Sequence, residues 1–117
     1  MKVVRVSEVK PEADHGALFI GDVTRQGIVS DSEDYNLAMV NFAIGAKNKW
    51  HTHSGDQVLF VTYGSGIVAD EKAEYPIHTG DIVHVVAGDK HWHGASGHSA
   101  MSHISLTKKG SITTMFD

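Results

Sequence analysis

The residues best suited to chemistry in this chain of 117 residues are its nine histidines, since it has no cysteine. Four of the histidines form two His-x-His pairs, His51 with His53 and His91 with His93. Alternate residues of a β-strand point to the same face, so each pair would present two imidazoles together. Gln57 follows the first pair after a short turn, so its side-chain oxygen could reach a metal ion held by the two imidazoles. Nitrogen and oxygen ligands of this kind suit a divalent first-row metal ion.

The elements that must position these side chains are short β-branched or aromatic runs separated by turn residues, which is typical of an all-β fold. The sequence predicts strands over Val3–Val6, Ala17–Ile20, Leu37–Ile44, Trp50–His53, Val58–Tyr63, Gly66–Ala69, Glu74–His78, Ile82–Val86, His91–His93 and Met101–Leu106. The polar segment from Asp22 to Tyr35 is predicted to be a loop. So many short strands at close spacing favour a closed barrel or a jelly roll, whose closure would bring the two histidine pairs together.

Composition narrows the class of protein. The length predicts a single domain over residues 1–117. A formal net charge of -4 without a basic stripe argues against nucleic acid as a partner. The charged N-terminus, with Lys2, Arg5 and Glu8, offers no apolar run for a signal peptide or a membrane span, and we therefore expect a cytoplasmic protein with no membrane partner.

The spacing around the histidines resembles that of the cupin superfamily. The first cupin motif is matched from Gly45 through His51, His53 and Gln57 to Gly64, and the second by Gly80, Gly88 and His91. Val86 stands where the second motif has proline, and Ala95 where it often has asparagine. Neither position is a metal ligand in the family. The resemblance implies an all-β cupin barrel, a double-stranded β-helix of jelly-roll type.

The segments WHTHSGDQVLFVT, GDKHWHGA and AMSHISL resemble a narrower subgroup of small bacterial single-domain cupins. This subgroup includes the manganese-dependent hydroxynitrile lyases and proteins associated with carboxymuconolactone decarboxylases. The resemblance implies a metal ion on His51, His53, Gln57 and His91, manganese by preference, with iron, nickel or zinc as alternatives. It also implies that His103 lies near the metal and assists proton transfer. His93 would share that inner face, as a second candidate for proton transfer or as a group that orients a ligand.

An amide ligand such as Gln57 leaves a divalent ion with its full positive charge, which favours Lewis-acid and acid–base chemistry over oxygen activation. Apolar side chains are predicted to line the pocket and to select a small, partly hydrophobic substrate: Ala38, Val40, Phe42, Leu59 and Val61.

Three functions therefore stay open: a metal-dependent enzyme acting on a small hydroxy or carbonyl compound in the manner of a hydroxynitrile lyase, a metal-dependent dioxygenase, and a non-catalytic module that binds a small metabolite. We also expect a homodimer or a higher homo-oligomer, formed through the apolar run at Val3, Val4 and Val6.

Overall fold

A computed structural model describes residues 1–116, which fold into twelve β-strands and one turn of 3-10 helix at Val6–Glu8, with no α-helix in that range. The strands are β1 Glu12–Ala13, β2 Phe19–Ile20, β3 Val23–Val29, β4 Tyr35–Phe42, β5 Lys47–Asn48, β6 His51–His53, β7 Gln57–Ala69, β8 Glu74–His78, β9 Ile82–Val85, β10 Trp92–Ala95, β11 Met101–Lys108 and β12 Thr113–Met115. The predicted all-β class is confirmed.

Ten of the strands form one antiparallel sheet in the order β1-β3-β4-β11-β7-β10-β5-β2, with β8 and β9 also pairing with β7. The sheet curls around an interior, and β12 pairs with β6 as a separate ribbon. Strand β7 holds this arrangement together, since its first part pairs with β9 and β11 and its second part with β8 and β10.

The sequence analysis divided β7 into two strands, Val58–Tyr63 and Gly66–Ala69, whereas the structure has one strand of 13 residues. Its bend lies at Gly64, where φ is 72°. A Cβ atom at this glycine would lie 1.9 Å from the carbonyl oxygen of Ala100, so no other residue fits the close approach to the neighbouring chain. The glycine therefore lets one strand cross from one part of the barrel wall to the other.

The predicted loop from Asp22 to Tyr35 is wrong, because it contains β3. Two polar residues of β3, Thr24 and Gln26, accept hydrogen bonds from the neighbouring strand. The side-chain amide of Asn41 on β4 donates to Thr24 Oγ1 at 3.1 Å and to Gln26 Oε1 at 3.0 Å. Polar cross-strand pairs thus stabilise a strand whose composition is typical of a loop.

The predicted strand Val3–Val6 is also wrong, since the chain there is irregular and then enters the 3-10 turn. The carbonyl of Val6 accepts a hydrogen bond from the side chain of Gln26 at 3.0 Å instead of joining a backbone ladder. The N-terminal segment thus offers no strand for exchange between two chains, and self-association stays a prediction.

The inner face of the barrel is divided between an apolar core and a polar cavity. The core is built from Val23, Val40, Phe42, Ala46, Val61, Val68, Ile77, Ala95 and Met101. The histidines lie beside it, and five of them are buried: His51, His53, His91, His93 and His103. Within the described range, no helix is long and apolar enough to cross a membrane.

Candidate metal centre and cavity

Barrel closure brings the first histidine pair to the second. His51 and His53 are the ends of β6, and Gln57 begins β7 after the turn. His91 lies opposite His51, and the two backbones exchange hydrogen bonds of 2.9 and 3.0 Å. The ring centroids of His51 and His91 are 4.2 Å apart, and that of His53 lies 4.8 Å from His51 and 5.4 Å from His91. The structure therefore brings the three imidazole rings within 5.4 Å of one another.

The proton positions on these imidazoles follow from their partners. His51 Nδ1 bonds to the carbonyl of Lys49 at 2.7 Å, and His91 Nδ1 to the carbonyl of Asp89 at 2.9 Å. Because a carbonyl only accepts, each neutral ring carries its proton on Nδ1 and has a bare Nε2. His53 Nδ1 bonds to Thr113 Oγ1 at 2.9 Å, and its Nε2 is buried without a hydrogen-bond partner in the described residues.

Gln57 completes the group with an oxygen. Its side-chain amide nitrogen donates to Ser105 Oγ at 2.9 Å, which turns Oε1 toward His91 Nε2 at 3.3 Å. Since His91 Nε2 carries no proton, it and Gln57 Oε1 are two acceptors that face each other in a buried space. Such a contact is repulsive unless a cation lies between them. Two bare nitrogens, a third imidazole nitrogen without a partner in the described residues and an amide oxygen, each oriented by a hydrogen bond on its far side, are a donor set that fits a divalent metal ion.

Burial keeps the imidazoles neutral, as metal ligands must be. Burial lowers the pKa of His51 to about 4, and the neighbouring imidazoles act in the same direction. The pKa of His53 is lowered by burial and then by His91, and burial also lowers the pKa of His91.

His93 and His103 form a second, deeper group. His103 Nε2 lies 3.0 Å from His93 Nδ1, and the amide nitrogen of Asn48 lies 3.1 Å from His93 Nε2. The backbone N–H of His93 donates to Asn48 Oδ1 at 2.8 Å, which fixes the orientation of the amide. Asn48 therefore donates to His93 Nε2, and His93 carries its proton on Nδ1 and donates to His103 Nε2. Burial lowers the pKa of His93 well below its usual range and that of His103 to about 4.

One group of three histidines in residues 1–116 meets the spacing needed for a metal ion, and it differs from the predicted set. His51, His91 and His93 each offer a nitrogen within 4.8 Å of the others, and this trio could hold a metal ion. However, both nitrogens of His93 already have partners, whereas His53 Nε2 has none in the described residues. His93 thus lies between His103 and the candidate ligand group, which consists of His51, His53, Gln57 and His91.

A cavity of about 150 Å³ opens beside these histidines. Besides His51, His53, His93 and His103, its lining consists of Leu18, Phe19, Arg25, Val40, Asn48, Gln57, Ser105, Thr107, Ser111 and Thr113. Of the five residues predicted to line the pocket, the structure brings only Val40 to this wall. Phe42, Leu59 and Val61 are buried in the interior, and Ala38 lies further along β4. The lining is thus more polar than predicted, because the inner face of β11 and the β12 ribbon contribute serine and threonine.

The sequence analysis missed Asn48 and Arg25. Asn48 lies in the two-residue strand β5, three residues before His51, where no pattern distinguishes it from a turn residue. Arg25 falls in the segment predicted to be a loop. Strand alternation could have revealed that Arg25 faces the cavity, because it places Arg25 on the same face as Val23 and Gly27.

Comparison with known proteins agrees with this architecture. The family model for the cupin domain matches residues 38–107, a range that contains both histidine groups. The chain is a cupin. Its predicted barrel is confirmed by solved structures: a cupin-like protein from Thermotoga maritima is 26% identical with a TM-score of 0.84, over 89% of this cupin and 83% of that chain. The polyketide cyclase RemF from Streptomyces resistomycificus shares the fold, with a TM-score of 0.85 at 13% identity over 100% and 87% of the two chains.

Among curated proteins, the cupin is similar to the (R)-mandelonitrile lyase of Granulicella tundricola, with 44% identity over 73 residues. The match covers 62% of this cupin and 56% of the lyase, so the chain spans about half the length of that relative. The predicted likeness to the hydroxynitrile lyase subgroup is thereby confirmed.

Proposed function

We propose that this cupin is a metal-dependent enzyme that uses Lewis-acid and acid–base chemistry on a small hydroxy or carbonyl compound, in the manner of a hydroxynitrile lyase. The observation that carries the proposal is the buried contact between His91 Nε2 and Gln57 Oε1 at 3.3 Å, two acceptors that a shared cation would stabilise. The name of the 44% identical relative, a mandelonitrile lyase, supports the class of reaction.

The proposed ligands are His51, His53, Gln57 and His91. His53 is preferred to His93 as the third imidazole because its Nε2 is buried and has no hydrogen-bond partner among residues 1–116. Four neutral ligands leave the ion its full charge, and we propose manganese as the native metal, with iron, nickel and zinc as alternatives. When bound, the ion would supply Lewis-acid chemistry by lowering the pKa of a hydroxyl group beside it.

His103 is the proposed proton acceptor, and His93 is its partner. Of the four ring nitrogens of this pair, His103 Nε2 is the basic one, because Asn48 donates to His93 Nε2 and both Nδ1 atoms carry protons. Burial lowers the pKa of both rings, so His103 Nε2 is unprotonated at neutral pH and able to accept a proton.

For a 2-hydroxynitrile, the steps balance as follows. A substrate hydroxyl that replaces His93 as the donor transfers its proton to His103 Nε2, while an oxygen electron pair forms the carbonyl. The bond to the nitrile carbon breaks, and its electron pair leaves with cyanide. The proton on His103 then passes to cyanide, and the products are a carbonyl compound and hydrogen cyanide.

The test combines metal analysis with turnover on a panel that starts with mandelonitrile. His103→Gln should keep its metal and lose activity by about 10²- to 10⁴-fold, because a proton-transfer group is removed from a site that is otherwise intact. Normal turnover by this variant would contradict the role of His103.

Two alternatives are separate outcomes of the same test. Iron content with oxygen uptake would favour a dioxygenase. If the metal-loaded wild type binds small metabolites and turns over nothing in the panel, the binding module would replace the enzyme.

A further inference from the structure

One residue of the cavity wall, Arg25, is an arginine. Among the described residues, Arg25 is the only lining residue with a formal charge at neutral pH when the imidazoles are neutral, and no carboxylate lines the cavity. A bound divalent ion with neutral ligands would add further positive charge. The cavity therefore has an excess of positive charge that its own side chains do not balance.

Strand register sets the position of this arginine relative to the histidines. Arg25 on β3 is opposite Val40 on β4, and Val40 is opposite His103 on β11. Residues directly opposite one another in a sheet point to the same face, so the three side chains form one row across the inner wall. Two strand spacings separate the Arg25 backbone from that of His103, roughly 10 Å. A small molecule in the cavity can contact both residues, because both line it.

The guanidinium is only weakly engaged by the protein. Its nearest acid is Asp14, with 3.9 Å between Arg25 Nε and Asp14 Oδ2, and the two side chains are 45% and 27% exposed. The other carboxylate oxygen of Asp14 accepts from the backbone N–H of Gly16 at 2.9 Å. Glu12 is opposite Arg25 on β1, yet no ion pair joins them in the described residues. The guanidinium also makes no hydrogen bond within residues 1–116, so its donors are available to a ligand.

We propose that Arg25 binds a substrate carboxylate, which extends the substrate class of the proposed enzyme from neutral hydroxy compounds to small 2-hydroxy or 2-oxo carboxylates. This inference rests on the proposed function for the position of the reacting hydroxyl. Guanidinium matches a carboxylate with two parallel hydrogen bonds, and the geometry of the row directs the rest of such a molecule toward His103. A cavity of about 150 Å³ with polar walls suits a molecule of this size.

The test compares lactate with lactamide, which has nearly the same shape and no charge, in calorimetric titrations of the manganese-loaded cupin. We expect lactate to bind about 10-fold more tightly, because a hydrogen bond to a charged group is stronger than a neutral one and the partial exposure of Arg25 moderates the gain. Arg25→Gln should abolish this preference, and Arg25→Lys should keep part of it. Arg5→Gln is the matched control, since it removes the same charge from an exposed residue outside the cavity wall and should change nothing.

Several outcomes would overturn the proposal. Equal binding of the two probes, or no binding of lactate, would remove the substrate class. A preference for lactate that survives in Arg25→Gln would show that the metal holds the carboxylate, not the arginine. The same titrations on metal-free protein separate the two proposals, because recognition by Arg25 should persist there without turnover. Conversely, Arg25-dependent binding by a protein that turns over no hydroxy compound would reject the enzyme and leave the Arg25 site standing.

Discussion

The two groups of histidines in this cupin, the candidate ligands and the deeper pair, have the same side chain but different hydrogen-bond partners. In the ligand group, His51 and His91 donate from Nδ1 to backbone carbonyls, and their Nε2 atoms are bare. In the deeper group, His93 and His103 bond to each other, and Asn48 caps the pair. The neighbours, not the histidines, thus determine which ring nitrogens are bare and which share a proton, and the proposed roles of the two groups follow from that difference.

The largest effect should come from removing a ligand. We expect His91→Ala to lower the affinity for Mn²⁺ by more than about 100-fold, because a ligand matters more than the groups that orient it. Metal analysis after dialysis measures this. His15→Ala is the matched control, since His15 is exposed and is not among the residues that line the cavity. Full metal content in His91→Ala would break the distinction between the two groups.

A smaller effect should follow from the loss of an orienting contact. Thr113→Val keeps the shape of the side chain and removes the partner of His53 Nδ1. We expect the affinity for metal to fall by about 10-fold, as is usual when such a contact is lost. Thr114→Val, the next residue on β12, should leave the affinity unchanged. If both variants behave alike, His53 is not oriented through Thr113.

A lower pH should reduce the thermal stability of the metal-free protein, through one histidine in each group. His51 and His103 have a pKa of about 4 in the fold against 6.5 when unfolded, and burial is the main cause for each. The unfolded state binds more protons between these values, so the stabilisation is complete above pH 6.5 and is lost as the pH falls toward 4. We expect the melting temperature of the metal-free protein to fall by more than about 10 °C between pH 7 and pH 4.5. His103→Gln should show a smaller fall. An unchanged melting temperature over this range would contradict the buried neutral histidines.

The smallest change should be visible only by spectroscopy. In Asn48→Asp at neutral pH, an ionised carboxylate replaces the amide and can only accept a hydrogen bond. We therefore expect His93 Nε2 to gain a proton, which moves its ¹⁵N resonance in the metal-free protein from the bare to the protonated range. Metal content should stay the same. A bare Nε2 in this variant would mean that Asn48 does not fix the protonation of His93.

The sequence predicted one group of histidines better than the other. The spacing from His51 to Gln57 follows strand alternation and a short turn, and local rules of this kind can be read from the chain. The contact of Asn48 with His93 joins residues 45 positions apart and depends on barrel closure, which no local pattern reveals. Arg25 was missed because the polar residues on the outer face of its strand are typical of a loop. Four of the five predicted pocket residues are absent from the lining of the cavity, because inward alternation alone does not separate core from cavity.

The most direct test of the metal centre is a crystal structure of the Mn²⁺-loaded cupin with anomalous diffraction data. We expect one anomalous peak at about 2.0 to 2.3 Å from the Nε2 atoms of His51, His53 and His91 and from Gln57 Oε1. His93 should keep its hydrogen bonds to Asn48 and His103. A peak bound by His51, His91 and His93, with His53 unligated, would contradict the division between a ligand group and a proton-holding group, and the absence of any peak would contradict the metal centre itself.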